Sequence, residues 1–159
     1  MGTALAAAIA GFAAQRQVRA EHRHWRRQMR RDAYAALAAR ADEVREALRG
    51  IEAEFGTPAH DLQELRTVLT ETRRTIRDEL GDALRSVELE GPPELARMAG
   101  ELVKSLSACA AVIQARTGGR TTNQALGADQ LARIRGFLNH ADGKRERFMA
   151  SASRAIDVR

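Results

Sequence analysis

Glu21 and His24 have the spacing of a metal-binding pair, within "RQVRAEHRHWRRQMRR" at residues 16–31. Glu-x-x-His is a unit that di-iron helical bundles use twice, together with glutamates from two further helices. Here the unit occurs once, inside a cluster of arginines that would repel a cation. The remaining histidines are scattered along the chain, at His22, His60 and His140. We therefore expect no metal ion and no other cofactor.

Two other patterns contain residue types that catalysis uses. "TGGRTTN", residues 117–123, has glycines like a phosphate-binding loop, but it lacks Gly-Lys-Ser/Thr and follows no predicted strand. Cys109 is the only cysteine and lies among Ala and Val on the apolar side of a predicted helix, which is typical of a buried structural thiol. No Ser or Cys that could be a nucleophile has a plausible general base near it in the predicted helices. The sequence therefore predicts a protein that is not an enzyme.

The composition favours an all-helical fold. Of 159 residues, 44% are hydrophobic and only 4% are aromatic, and the apolar residues are mostly Ala, Leu and Val. Abundant Ala, Leu, Arg and Glu with few prolines is typical of helices. The length suits one domain with a real core, and a single cysteine excludes an internal disulfide, which fits a reducing compartment.

Apolar residues recur at steps of three and four in four stretches, which predicts four amphipathic helices. The first is predicted to span about 3–54 and the second about 59–87, with Gly81 weakening it. The third begins at Pro92–Pro93, after Gly91 at a position suited to positive φ, and the fourth spans about 128–155. The predicted core residues are Tyr34, Leu37, Ala41, Val44, Leu48, Ile51, Phe55, Leu62, Leu65, Leu69, Ile76, Leu80, Leu84, Val87, Leu95, Met98, Ala99, Leu102, Leu106, Cys109, Ile113, Leu131, Ile134, Leu138, Ala141, Phe148, Ala152 and Ile156.

Four such helices with short connections bury their apolar sides against each other. We therefore predict an all-α fold, an antiparallel four-helix up-and-down bundle with a long projecting N-terminal helix. Residues 32–159 would form the bundle domain, and residues 1–31 an apolar and then Arg-rich helical extension. Upstream of the bundle, Trp25, Met29, Ala33 and Ala36 can continue the apolar side of the first helix.

The net charge of +5 is concentrated in the extension. Residues 1–31 have a balance of +6, whereas the remaining 128 residues have a balance of −1. This asymmetry indicates one basic contact surface. Three interpretations are open: contact with anionic lipid, a merely solvated helix face, and contact with nucleic acid, for which Trp25 is the only aromatic residue in the cluster. The arginines concerned are Arg16, Arg19, Arg23, Arg26, Arg27, Arg30 and Arg31.

An apolar stretch at residues 3–14 precedes the arginines. Its 12 residues fall short of the roughly 20 that a membrane-spanning helix needs, unless the apolar segment extends upstream of Met1. Three interpretations are again open: a membrane anchor with the Arg-rich flank on the cytoplasmic side, a helix end that packs on another copy or another protein, and an Ala-rich helix start. The candidate membrane or partner contacts are Leu5, Ile9, Phe12 and Trp25.

Two segments of the sequence resemble a known group of proteins. "WRRQMRRDAYAALAARADEV", residues 25–44, and "VELEGPPELARMAGELV", residues 87–103, resemble a loose group of small helical proteins of actinobacteria. Its members often begin with one membrane helix, continue into an Arg-rich stretch with an R-R-D/E-A-Y-like motif, and have an L-E-G-P turn. The resemblance covers about a quarter of the chain. It implies a membrane-tethered cytoplasmic bundle and implies no activity or catalytic site.

These observations predict a non-enzymatic, membrane-associated helical interaction module at the cytoplasmic face of the cell membrane. Its N-terminal helix would be a transmembrane anchor or a peripheral attachment to an anionic membrane surface. One alternative is a cytoplasmic, soluble interaction protein that forms a homo-oligomer or binds another protein through the same helix. Another is a nucleic-acid-binding protein that uses the arginines.

Overall fold

The computed structural model describes residues 2–56, 61–117 and 126–157; the side chains of residues 2–20, Arg23 and Asp157 lie outside the description. Nearly all described residues are helical and none of them forms a strand, so the all-helical prediction is confirmed. The helices are α1 (Gly2–Phe55), α2 (Leu62–Arg77), α3 (Glu79–Glu90), α4 (Pro93–Thr117) and α5 (Ala128–Asp157).

The second predicted helix is divided at Asp78 into α2 and α3, so the prediction of one uninterrupted helix over 59–87 is wrong at this residue. The Asp78 backbone N–H donates to the carbonyls of both Arg74 and Thr75, and its carboxylate accepts a 2.9 Å hydrogen bond from Arg77 Nε. These local contacts distort one turn. Backbone hydrogen bonding resumes at once, because the Asp82 N–H donates to the Asp78 carbonyl at 3.0 Å.

The apolar stripes meet in one core, as the spacing predicts. Every predicted core residue is buried except Leu84, Met98, Leu131 and Ile156, which are half-buried and pack against the core. Two aromatic side chains on different helices, Tyr34 and Phe148, meet edge to face with ring centroids 6.1 Å apart. Aromatic contacts of this kind add to the stabilisation that burial itself provides.

Ion pairs at the edge of the core join helices that are distant in sequence. On α5, Asp142 accepts from Arg45 and Arg49 of α1, while Arg145 reaches Asp42 of α1. Further along the same pair of helices, Arg135 binds Glu52 at 2.7 Å. Among the described residues α1 and α4 each contact every other helix, whereas α5 contacts neither α2 nor α3.

Gly91, between α3 and α4, has φ −91° and ψ 164°, so the expectation of a positive φ is wrong. This extended conformation is open to any residue. Space is the reason for glycine here, because a Cβ atom would lie 2.7 Å from the Val87 carbonyl oxygen and 3.2 Å from the Tyr34 hydroxyl. The turn therefore needs glycine chiefly because the chain passes so close to the Val87 carbonyl, and the nearby Tyr34 hydroxyl narrows the space further.

Gly91→Ala is expected to lower the free energy of unfolding by about 1–3 kcal/mol, because backbone at Val87 must move to accept the methyl group. Urea denaturation of the two proteins measures the difference. Gly100→Ala is the matched control: a Cβ there meets nothing within 4 Å, and alanine in mid-helix should add about 0.5–1 kcal/mol. Equal effects of the two substitutions would contradict this explanation of Gly91.

Candidate functional site

All predicted contact residues belong to one helix, α1. The description of side chains covers five of them: Trp25, Arg26, Arg27, Arg30 and Arg31. The others lie outside the described side chains, and their predicted roles stay predictions: Leu5, Ile9, Phe12, Arg16, Arg19 and Arg23.

Arg26, Arg27 and Arg31 are exposed. In the part of the chain that the structure describes, no carboxylate lies within ion-pair distance of any of the three. Guanidinium groups stay protonated at all physiological pH values. These three residues, named here the open arginines, therefore present positive charge that is not paired with any carboxylate of the described side chains.

Arg30 behaves differently from the open arginines. It is half-buried, and its Nε donates a 2.7 Å hydrogen bond to the backbone carbonyl of Glu90, the last residue of α3. Cations bind well at a helix C-terminus, where carbonyl oxygens lack helical partners. Arg30 therefore holds α1 against the end of α3, a role that the uniform Arg-rich pattern did not reveal.

Trp25 has 54% of its surface exposed and stacks on His22, with ring centroids 5.8 Å apart. The expectation that Trp25 and Ala36 continue the core-facing side of α1 is wrong, since both are exposed. Two residues advance about 200° around a helix, so Arg27 lies nearly opposite Trp25. The basic and aromatic contacts of this segment therefore face different directions.

Several arginines of the bundle, unlike the open arginines, are paired with carboxylates. Arg40 bridges Glu43 and Glu79 at 2.7 and 3.0 Å, and Arg45 lies between Asp42 and Asp142. The hydrogen bond that Arg40 donates to the Glu43 carboxylate is the main reason that the pKa of Arg40 is raised. Many of the bundle's charges are thus matched locally, and the excess positive charge remains near the start of the chain.

Cys109 is buried, as the sequence predicts, and burial raises the pKa of its thiol from 9.0 to about 11. The thiolate is the nucleophile, so we expect folded protein at pH 8 to react slowly with a thiol reagent and unfolded protein to react rapidly. The free energy of unfolding should also fall as the pH rises from about 9 to about 11, because only the unfolded thiol ionises there. Cys109→Ala should abolish this component; fast labelling of the folded protein would contradict it.

A membrane span needs a helix of sufficient length and hydropathy. None of the described helices contains a segment both long enough and apolar enough to cross a bilayer, so the predicted transmembrane helix is not supported. Within the same described residues, no three His, Cys, Asp or Glu side chains form a group that a metal ion would need. Comparison with family models, curated proteins and solved structures finds no match to this chain.

Proposed function

We propose that this protein is a non-enzymatic helical module that attaches peripherally to anionic membrane surfaces through the N-terminal part of α1. The attachment segment would be residues 1–31, and residues 32–159 would be the bundle domain that it holds at the membrane. The cytoplasmic face of the cell membrane is the surface that suits it, because anionic lipids give that leaflet a negative potential.

The observation that carries the proposal is that the open arginines are clustered within six residues of α1, whereas many arginines of the bundle are paired with carboxylates. Arg26, Arg27 and Arg31 have no carboxylate partner among the described residues, whereas Arg45 and Arg145 are held by aspartates. Each basic residue near an anionic bilayer contributes about 1 kcal/mol to binding. The spacing of Arg16, Arg19 and Arg23 in the sequence extends the same cluster toward the apolar stretch at 3–14.

We further propose that the body is an antiparallel up-and-down four-helix bundle in which α2 and α3 together form one of the four helices. Its support is the order of the cross-helix pairs. Arg135 pairs with Glu52, and the later Arg145 pairs with the earlier Asp42, as in antiparallel helices. Met29 and Arg30 are the first described residues with half-buried side chains, which favours a projecting N-terminal part of α1.

Lipid is favoured over nucleic acid by the aromatic content of the segment. Single-stranded nucleic acids are bound by several stacking side chains beside the basic groups, and within residues 16–31 Trp25 is the only Phe, Trp or Tyr. The apolar residues at 3–14 would lie at the acyl-chain boundary, next to the arginines at the headgroups. The resemblance to membrane-tethered helical proteins favours the same assignment.

Vesicle co-sedimentation tests the proposal. Purified protein is expected to pellet with vesicles that contain phosphatidylserine and to remain in the supernatant with pure phosphatidylcholine. Binding should weaken as salt rises above about 0.15 M, because counterions screen the attraction. Electrophoretic mobility with duplex and single-stranded DNA is the second arm. Retardation of DNA without any binding to anionic vesicles would overturn the lipid assignment.

A further inference from the structure

A groove runs along the surface between α1 and α2. Its first part has a volume of about 350 Å³ and lies between Val44 and Ala47 of α1 and Val68 of α2. A second part of similar volume continues from Ala47 and Val68 toward Gly50. The groove exists because Ala47 and Gly50 present so little side chain to α2. Val68, at its centre, keeps 40% of its surface exposed although it is apolar.

Carboxylates line the groove along its length, although Glu43 also pairs with Arg40 and Glu71 with Arg74. Among the described residues that line it there is no lysine or arginine. The carboxylates along its edges are Glu43, Glu54, Asp61, Glu64 and Glu71. An apolar floor between acidic edges suits an occupant that offers a large apolar side chain flanked by positive charge.

Trp25 supplies the large apolar side chain. The indole is half-exposed and stacks on His22. The exposed Arg26 lies about 100° from Trp25 around α1 and is the open arginine on the adjacent side, whereas Arg27 lies nearly opposite. An indole is smaller than the ligands that occupy pockets of this volume. Buried tryptophan and arginine are also the residues that most often dominate binding energy at protein interfaces.

The positions of Trp25 and the groove along α1 allow each of two copies to place its Trp25 at the groove of the other. Trp25, Ala36 and Ala47 follow one another at intervals of eleven residues. Eleven residues are about three helical turns, so the three residues lie on one face of α1. In two antiparallel α1 helices related by a two-fold axis at Ala36, each Trp25 lies opposite the Ala47 of the other copy, about 16 Å from the axis.

The residues near this axis fit a close helix contact. Ala35, Ala36 and Ala39 are exposed, and such small side chains let two helices approach closely. Asp32 and Arg40 are equally distant from Ala36 in sequence, so the axis places Asp32 of one copy opposite Arg40 of the other. Both are exposed and carry opposite charges, so Asp32 would join Glu43 and Glu79, the carboxylates that Arg40 already contacts.

We propose that the protein forms a two-fold dimer in which the α1 helices of two copies pack antiparallel and Trp25 of each copy occupies the α1–α2 groove of the other. This interface uses the aromatic side of α1 and an acidic groove in the bundle. It does not rest on membrane binding, and its test contains no lipid.

The test uses the full chain, in which Trp25 is the only tryptophan. Sedimentation equilibrium is expected to show a shift from the 17.5 kDa monomer to twice that mass as concentration rises. The Trp25 emission maximum should move to shorter wavelength over the same concentration range, because the indole leaves water. A concentration-independent monomer with unchanged emission would overturn the proposal.

Two variants identify the interface. Ala47→Arg fills the groove and Trp25→Ala removes the occupant, so each should leave the protein monomeric at concentrations where the wild type is dimeric. Ala53→Arg, at an exposed position on another side of α1, is the matched control and should dimerise normally. Trp25→Ala alters an exposed residue and should preserve the fold. A dimer that survives both Ala47→Arg and Trp25→Ala would overturn the proposed interface.

Engineered cysteines give an independent readout. The single variant Ala36→Cys, which keeps Trp25 and the groove intact and lies on the proposed two-fold axis, is expected to form an intermolecular disulfide under mild oxidation, giving a covalent dimer on a non-reducing gel. The native Cys109 is buried and should not compete. Ala53→Cys, at an exposed position on another side of α1, is the control and should give little covalent dimer. Equal cross-linking of the two variants would contradict the proposed axis.

Discussion

Replacing Arg26, Arg27 and Arg31 together by Gln is expected to lower the affinity for anionic vesicles by about 100-fold. Each arginine contributes about 1 kcal/mol near an anionic surface, so their loss costs about 3 kcal/mol, which corresponds to two orders of magnitude. The three residues are exposed and have no ion-pair partner among the described residues, so the fold should not change. Co-sedimentation at fixed salt, with lipid titrated, measures the change.

A second triple variant separates position from net charge. Arg73, Arg133 and Arg147 are exposed arginines of the bundle with no ion pair among the described residues. Their joint replacement by Gln changes the net charge by the same amount but leaves the open arginines in place. We expect a reduction in vesicle affinity of at most a few-fold. Equal losses in the two triple variants would mean that net charge, and no particular surface, governs the binding.

Phe148→Ala is expected to lower the free energy of unfolding by about 3–5 kcal/mol. The Phe148 ring is completely buried in α5 and meets the Tyr34 ring edge to face, so the substitution leaves a cavity and removes an aromatic contact. Domains of this size are stable by about 5–15 kcal/mol, so the loss would be a large fraction of the total. Urea denaturation followed by circular dichroism measures it.

Phe137→Ala is the control on the same helix. Phe137 has 40% of its surface exposed, so truncation there should cost only about 0.5 kcal/mol. A difference between the two variants of less than about 1 kcal/mol would mean that Phe148 is not at the centre of the core.

The helices and the core could be predicted from sequence because their signal is local and repeated. Steps of three and four from Tyr34 to Phe55 mark one side of α1, and those residues are buried. Features set by single contacts could not be predicted in this way. The break at Asp78 depends on hydrogen bonds within one turn, and Gly91 is required because a Cβ there would clash with the Val87 carbonyl and crowd the Tyr34 hydroxyl.

The candidate surfaces also combine features that the sequence predicts with features that depend on contacts between helices. The charge count along the sequence locates the basic segment, but it cannot separate Arg30, which binds the Glu90 carbonyl, from the open arginines. Ala47 and Gly50 look like ordinary helix residues in the sequence. The groove beside them appears only when α2 packs against α1, because its acidic edges come from both helices.

Fractionation of cells that express the full chain is the most direct test of peripheral membrane attachment through the start of α1. We predict that the protein sediments with membranes, that a high-salt or alkaline wash releases it, and that deletion of residues 2–15 moves it to the supernatant. Protein that remains in the soluble fraction, with a distribution unchanged by that deletion, would contradict the account.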